Sequence, residues 1–258
     1  MRHTDFFERL NRYARRVLSR YQQAFSAIPQ YLALKRVADP RFRMRWTDRW
    51  LCFGDATAQT GFDRHYVFHT AWASRVLAAT RPAMHVDISS SVFFVTMVSA
   101  FVPVRFYDYR PAQFGLSGLE SAHADLTKLP FDDESVESLS CMHVVEHVGL
   151  GRYGDPLDYD GDLKAISELK RVVAREGQLL FVVPMGGEPR IQFNAHRIYT
   201  YRQIVELFSD FELVEFSLIQ DGRTEPAFVR NATESLANAQ GYGCGCFWFR
   251  KPAERRPV

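Results

Sequence analysis

Four acidic residues stand where short apolar runs end: Asp87 in MHVDISSS, Asp108 in VRFYDYRP, Asp125 in AHADLTKLPF, and Glu146, followed by His147, in SLSCMHVVEHVG. A doubly wound α/β sheet presents polar groups in this way along the carboxyl ends of its strands, where ligands bind. Asp108 follows Asp87 at about the twenty-residue interval that brings an acidic side chain to ribose hydroxyls. One carboxylate can accept from both vicinal hydroxyls. Ser89 and Ser91 occupy the turn after Asp87. Their hydroxyls can bind a ligand or cap the next helix, but a positive φ there costs about 1 kcal/mol more than for glycine. An imidazole with a near-neutral pKa suits proton removal from a hydroxyl. His147 is the first candidate base, then His143 and His196, with Glu146 beside them.

Two loops fall near the same strand ends. GLGRYGDPLDYDGDL spans 149–163 and brings Arg152 and Tyr153 to the pocket edge. Its aspartates are spaced like part of a calcium loop, but the glutamate needed at the twelfth position is missing. FNAHRIYTY spans 193–201 and supplies Asn194, His196 and Arg197. Asn, His and Arg together suit a polyhydroxylated or anionic acceptor. His65 and His69 are four residues apart in the segment 62–82 and share a helix face.

These residues need strands and helices to hold them. From residue 83 the chain alternates: strand MHVDI, helix SVFFVTMVSAF, strand VRFYD, strand SLSCMHV, helix DLKAISELKRVVAREG, strand QLLFVVP, helix YTYRQIVELFSDF, strand ELVEFSLI and last strand GCGCFWFRK. Asp162 reads as the N-cap of the DLKAISELKRVVAREG helix and Gly177 as its stop. The alternation predicts a Rossmann-like, doubly wound α/β sheet, mostly parallel with an antiparallel last strand. FDRHYVFHTAWASRVLAATRP (62–82) reads as a helix and 26–60 as irregular. Residues 4–25 read as an amphipathic helix bearing Arg9, Arg12, Arg16 and Arg20. The expected division is a basic N-terminal helical extension over 1–80 and an α/β domain over 81–258.

A net charge of +2 gives no support for nucleic acid as a partner. Residues 1–50 hold twelve Lys/Arg against four Asp/Glu, so a peripheral membrane contact through the basic helix is one expectation. The N-terminus has no apolar signal core, and the four cysteines form no CxxC pair. Both features predict a cytoplasmic protein with reduced thiols. The oligomeric state is not legible.

The stretch LPFDDESVESLSCMHVVEHV, followed by ELKRVVAREGQLLFVVP, resembles the class I S-adenosylmethionine-dependent methyltransferases over roughly residues 83–220. Within that superfamily it is most similar to a little-characterised methyltransferase-like group that carries HVVEHVGLGRYGDPLD and FNAHRIY segments. Ser89, Ser91 and Phe93 stand where the superfamily has its glycine loop, and Arg175-Glu176-Gly177 stands for Pro-Gly-Gly. The resemblance implies S-adenosyl-L-methionine as cofactor. Asp87, Ser89 and Ser91 would lie at its amino-acid end, Asp108 at the ribose, and Asp125 with Leu126 at the adenine. It implies a methyltransferase, and the acceptor-side residues Arg152, Tyr153, Asn194 and Arg197 suggest O-methylation of a sugar or glycan precursor, as in polysaccharide biosynthesis. The alternative is a cofactor-free protein of this fold serving as a glycan-binding or assembly partner. Some O-methyltransferases carry E-x-x-E-H at this corner and bind a divalent cation; His143 replaces the first Glu, and no metal is assigned. H-x-x-E-H also marks a class of zinc peptidases, but that motif needs one continuous helix. Here SLSCMHV reads as strand and Gly149 and Gly151 follow.

Overall fold

A computed structural model describes residues 25–37, 41–52, 55–222 and 224–254. The basic helix expected over 4–25, with its proposed membrane contact, therefore lies outside the described residues except for its last position. The chain divides into two compact units, residues 1–62 and 63–258. In the first, residues 25–35 form helix α1, where an irregular segment was expected. LALK supplies good helix formers there. A 3-10 turn, Trp46–Asp48, follows, with Trp46 packed edge-on to Tyr31 at 5.0 Å.

The second unit begins with α2 (Arg64–Thr80), capped by Asp63, whose side chain accepts from the Tyr66 N–H at 3.2 Å. The expected boundary at residue 80 thus falls at Phe62/Asp63. Trp72, Ala73, Val76 and Leu77 of α2 are buried in the same apolar cluster as strand residues and Phe94, Val95 and Val98 of α3 (Val92–Val98).

One sheet holds eight strands in the order β3-β2-β1-β4-β5-β10-β8-β9. β1 (His85–Ile88), β2 (Val104–Asp108), β3 (Leu119–His123), β4 (Val136–Met142) and β5 (Val173–Met185) run parallel to one another. β10 (Gly243–Arg250) inserts antiparallel between β5 and β8 (Glu212–Ile219), and the short β9 (Phe228–Val229) pairs antiparallel at the edge. The expected mixed sheet with its antiparallel last strand is found. Alternate residues of β5 feed opposite faces: Leu179, Phe181 and Val183 join one cluster, Leu180 and Val182 the other. Such two-sided burial is why this strand reads as a continuous apolar run.

On the opposite face from α2 lies α4 (Gly161–Val172), burying Ala165, Ile166, Leu169 and Val172 at helical spacing. The expected helix end at Gly177 moves back to Val172, and β5 starts at once. Asp162 is not the N-cap; that position is Asp160, and the Asp162 carboxylate instead accepts from the Tyr199 hydroxyl at 2.8 Å. Elements that escaped the sequence reading include β3, whose LESAH pattern is mostly polar, the short β9, the helix over Glu234–Asn238, and a hairpin of β6 (Arg190–Gln192) with β7 (His196–Ile198). The remaining helices are α5 (Tyr201–Leu207), closed by a Thr200/Gln203 capping box, and α6 (Glu234–Asn238). Among the described residues no helix is long and apolar enough to cross a membrane.

A buried polar chain crosses the sheet on the α2 side. Gln178 donates to Ser138 Oγ at 3.0 Å, and Ser138 lies 2.8 Å from His85 Nδ1. His85 Nε2 lies 2.8 Å from Ser140 Oγ, which donates in turn to the Asp87 carboxylate. His85 and Asp87 are two apart on β1, as are Ser138 and Ser140 on the adjoining β4, so all four side chains share one sheet face. Every donor in the series points the same way, ending on Asp87. Burial nevertheless raises the Asp87 carboxyl from 3.8 to about 6. A carboxyl that holds its proton more tightly when folded adds stability below the unfolded pKa and loses it as pH rises through the folded one. Asp87→Asn lacks that loss. Its stability relative to the parent should therefore climb between about pH 4 and 6, read as the difference in Tm across the range. A constant difference would show that the carboxyl titrates normally.

Candidate active site

The carboxyl ends of β1, β2 and β4 meet the 143–163 segment around two adjoining cavities. The first, of about 350 Å³, is lined by Ser89, Asp108, Asp125, Leu126, His143 and His147, among others. That volume lies in the range of small-molecule sites. The second, of about 560 Å³, takes its walls from His65, Tyr66, Glu146, Asn194, His196 and Tyr242, with Arg152 at the rim. His143 and His147 line both.

On the first side, the Asp108 carboxylate closes β2 and accepts the Arg110 N–H at 2.6 Å. Asp125 accepts from the Thr127 N–H at 2.8 Å and the Thr127 hydroxyl at 2.7 Å. These turns fix both carboxylates at the cavity wall. Leu126 beside Asp125 is buried. Ser89 takes the left-handed conformation, φ +55°, that the glycine of the resembled loop would adopt. Its N–H donates to the Tyr107 carbonyl at 2.7 Å. Ser91 is the N-cap of α3 but makes no side-chain cap bond and does not line the cavity. Phe93, at the third glycine position, is 75% exposed and leaves the crevice open.

Asp87 does not join Asp108 and Asp125 at the cavity. It is fully buried, and its oxygens are taken up by Ser140 and the Ser90 N–H at 3.0 Å. It acts behind the turn by holding it. The three acidic corners therefore split: two face the cavity and one supports it.

On the second side, Glu146 is wholly buried in the 3-10 turn Val145–His147, and burial raises its carboxyl to about 7. Its Oε1 accepts from His143 Nδ1 at 2.8 Å; its Oε2 has no hydrogen-bond partner among the described residues. Burial lowers His143 and His65 to about 4, so both rings are neutral near pH 7. His147 Nδ1 lies 2.6 Å from the Ala195 carbonyl. An Nδ1–H donated there leaves Nε2 unprotonated, 3.7 Å from Glu146. Burial lowers the His147 pKa as well. His196 stacks on Tyr242 at 5.2 Å and meets His147 edge-on at 6.2 Å. All four histidines at this cavity can accept a proton.

Arg197 is a correction. It was expected at the acceptor, but its side chain is buried and donates to the carbonyls of Val148 at 2.6 Å, Tyr159 at 2.8 Å and Asp158 at 3.4 Å. It also pairs with Asp162 at 3.4 Å. A guanidinium with five donors can close a loop in this way, and Arg197 fixes the 149–163 segment rather than facing a ligand. Arg152 donates to the Ala195 carbonyl at 3.1 Å and lies over the Tyr153 ring at 5.1 Å; Tyr153 itself faces the first cavity. Of the helix pair, His65 lines the second cavity, while His69 is buried behind it and bonds the His65 carbonyl through Nδ1 at 2.6 Å. Tyr66 and Tyr242 were missed. Neither lies near the HVVEH motif in sequence, and only their spacing from His65 and Cys244 hinted at them.

Residues 73–181 match the family described as "Methyltransferase domain", and residues 130–238 match "Caenorhabditis protein of unknown function, DUF268". No curated protein matches the chain. Among solved structures, the fold is similar to the Burkholderia thailandensis 1,6-didemethyltoxoflavin-N1-methyltransferase, with TM-score 0.51 and 13% identity, over 94% of this chain and 90% of that one. That protein was solved with 1,6-didemethyltoxoflavin and S-adenosylhomocysteine bound. The N-methyltransferase NodS from Bradyrhizobium japonicum WM9 is also similar, with TM-score 0.51 and 14% identity, over 72% of this chain and 97% of that one. With the domain match over residues 73–181, the 3-2-1-4-5 run of parallel strands and the antiparallel β10 give the chain the fold of the class I S-adenosylmethionine-dependent methyltransferases.

Proposed function

We propose that the protein transfers a methyl group from S-adenosyl-L-methionine to a hydroxyl, on a sugar or glycan precursor, and that no nucleic acid takes part. The observation that carries this reading is the pair of adjoining cavities with His143 and His147 in both walls. The residues at the first cavity fit the cofactor. Asp108 offers a carboxylate for the ribose hydroxyls, and Asp125 one for the adenine amine beside buried Leu126. The cofactor supplies an electrophilic methyl carbon when bound. Ser89 supplies the bend and leaves the cavity open beside it.

The chain's own work is then alignment and proton removal. His147 is the base: its Nδ1 is anchored on Ala195 and its Nε2 is left free beside Glu146. Glu146 holds His143 in place through Nδ1 and favours a cationic His147 once the proton arrives. Arg152 and Asn194 at the second cavity, with Tyr153 at the junction, suit a hydroxyl-rich acceptor. Their polar heads have room for several hydroxyls, and the aromatic rings of Tyr66 and Tyr242 suit the apolar face of a sugar.

Isothermal titration with S-adenosylhomocysteine should give micromolar binding and a rise in Tm; absence of both would remove the enzyme reading in favour of a cofactor-free binding protein. Asp108→Ala should weaken that binding more than His147→Ala does. In transfer of radiolabelled methyl to a panel of free and nucleotide-linked sugars, His147→Ala should lower turnover about 10²–10⁴-fold. Equal losses of binding in the two variants would contradict the division of roles. Ser89→Gly should add about 1 kcal/mol of stability by relieving the left-handed backbone, measured by urea denaturation, with homocysteine-analogue binding kept.

A further inference from the structure

Three donor atoms converge beside the second cavity, His65 of α2 and His143 after β4 in its wall and Cys244 of β10 buried behind them, all within 4.8 Å of one another. His143 Nε2 lies 3.3 Å from Cys244 Sγ. Without a metal this is a hydrogen bond between thiol and imidazole; the same distance suits neighbouring ligands on a tetrahedral ion, whose donors, with metal–nitrogen and metal–sulfur bonds of about 2.0–2.3 Å, fall about 3.3–3.7 Å apart.

The surroundings are those of a metal-ligand set. The other nitrogen of His143 donates to the buried Glu146 carboxylate at 2.8 Å. A carboxylate behind a histidine fixes its tautomer and aims the far nitrogen at the ion. A backbone hydrogen bond at Tyr242 serves His65 in the same way, and the His65 ring stacks on His143 at 5.5 Å. Glu146 is wholly buried, and its second oxygen has no hydrogen-bond partner among the described residues. An apolar interior tolerates such an anion poorly unless a positive charge stands near it. Among the described residues no lysine or arginine forms an ion pair with it, and Arg152 acts on it only from a distance.

We infer that His65, His143 and Cys244 form a three-ligand site for a borderline-soft divalent ion, Zn²⁺ above all, with its fourth position open to the acceptor cavity. Two imidazoles and a thiolate select Zn²⁺ or Co²⁺ and disfavour Mg²⁺ and Ca²⁺, which need oxygen. Three protein ligands with one open position is the arrangement of catalytic rather than structural zinc. Binding replaces the Cys244 S–H proton by the metal, and that proton leaves to solvent. An acceptor hydroxyl at the open position would be acidified by the ion; this last role rests on the methyltransfer reading, whereas the site itself does not.

The test uses the full chain, stripped with chelator and titrated with ZnCl₂ by calorimetry in two buffers of different ionisation heat. Stoichiometric binding with proton release is expected. Co²⁺ should give the intense visible bands of a tetrahedral site and a thiolate charge-transfer band. Cys244→Ser should abolish that band, and His65→Ala, at a partly exposed position, should lower Zn²⁺ affinity at least as much as Glu146→Gln does. Glu146→Gln keeps the shape and should weaken Zn²⁺ about 10–100-fold. No stoichiometric uptake, octahedral Co²⁺ spectra, or uptake indifferent to His65→Ala and Glu146→Gln would overturn the site. S-adenosylhomocysteine titrated into the metal-free chain separates the two readings: loss of that binding alone removes methyl transfer, and loss of Zn²⁺ binding alone removes this site.

Discussion

A carboxylate without water must have a donor, and Glu146 finds its donor in His143. That hydrogen bond orders the wall of the second cavity. It sets the tautomer of His143 and turns the ring so that its far nitrogen meets Cys244. Around the fixed ring pack His65, Tyr66 and His69, at centroid distances of 5.1–5.5 Å. Three elements distant in sequence, α2, the turn after β4 and β10, are thereby joined at one imidazole. The turn that carries Glu146 follows β4 directly, so the sheet determines where this imidazole stands.

The two faces of the active region are built on different principles. At the first cavity, short Asx turns at Asp108 and Asp125 display carboxylates along the wall. At the acceptor side, ionisable groups are sunk among aromatic rings, and burial drives them toward their neutral forms. The first arrangement suits recognition of a polar ligand. In the second, Glu146 at about 7 can take up or release a proton near neutral pH, while His143, lowered to about 4, stays neutral there. Ser89 and Glu176, at positions where the resembled sequences have glycine, take positive φ, +55° and +60°, with side chains attached.

Much of the sheet was legible because its strands are buried and their ends polar. MHVDI, VRFYD, SLSCMHV and QLLFVVP each became a strand, and the order of Asp108, Asp125 and Glu146 along the crevice followed. β3 was not legible, since LESAH buries only Leu119. The helix reaching Gly177 was an over-reading: Val172 and Val173 continue the apolar stripe of α4, but Val173 pairs with Val136 of β4, and the Glu176 N–H and Gly177 carbonyl bond the Lys251 backbone just past β10. Residue type also fails to reveal direction. Asp87 and Arg197 have the chemistry for ligand binding, yet one faces a chain of serines and a histidine and the other a set of backbone carbonyls. The acceptor cluster was half visible. HVVEH lies in one stretch, whereas Cys244 and Tyr242 approach it only through β10, which no local pattern could report.

Arg197 ties both ends of the glycine- and aspartate-rich segment to β7, while the Asp155 carboxylate gathers the N–H groups of Gly149, Gly151 and Tyr153 within it. At Gly149 even a methyl group would lie 2.0 Å from the Asp158 carbonyl oxygen. So tightly braced a strip makes a poor hinge. By contrast, the β6–β7 hairpin, whose residues 194–196 wall the second cavity, presents Phe193 83% exposed at its tip.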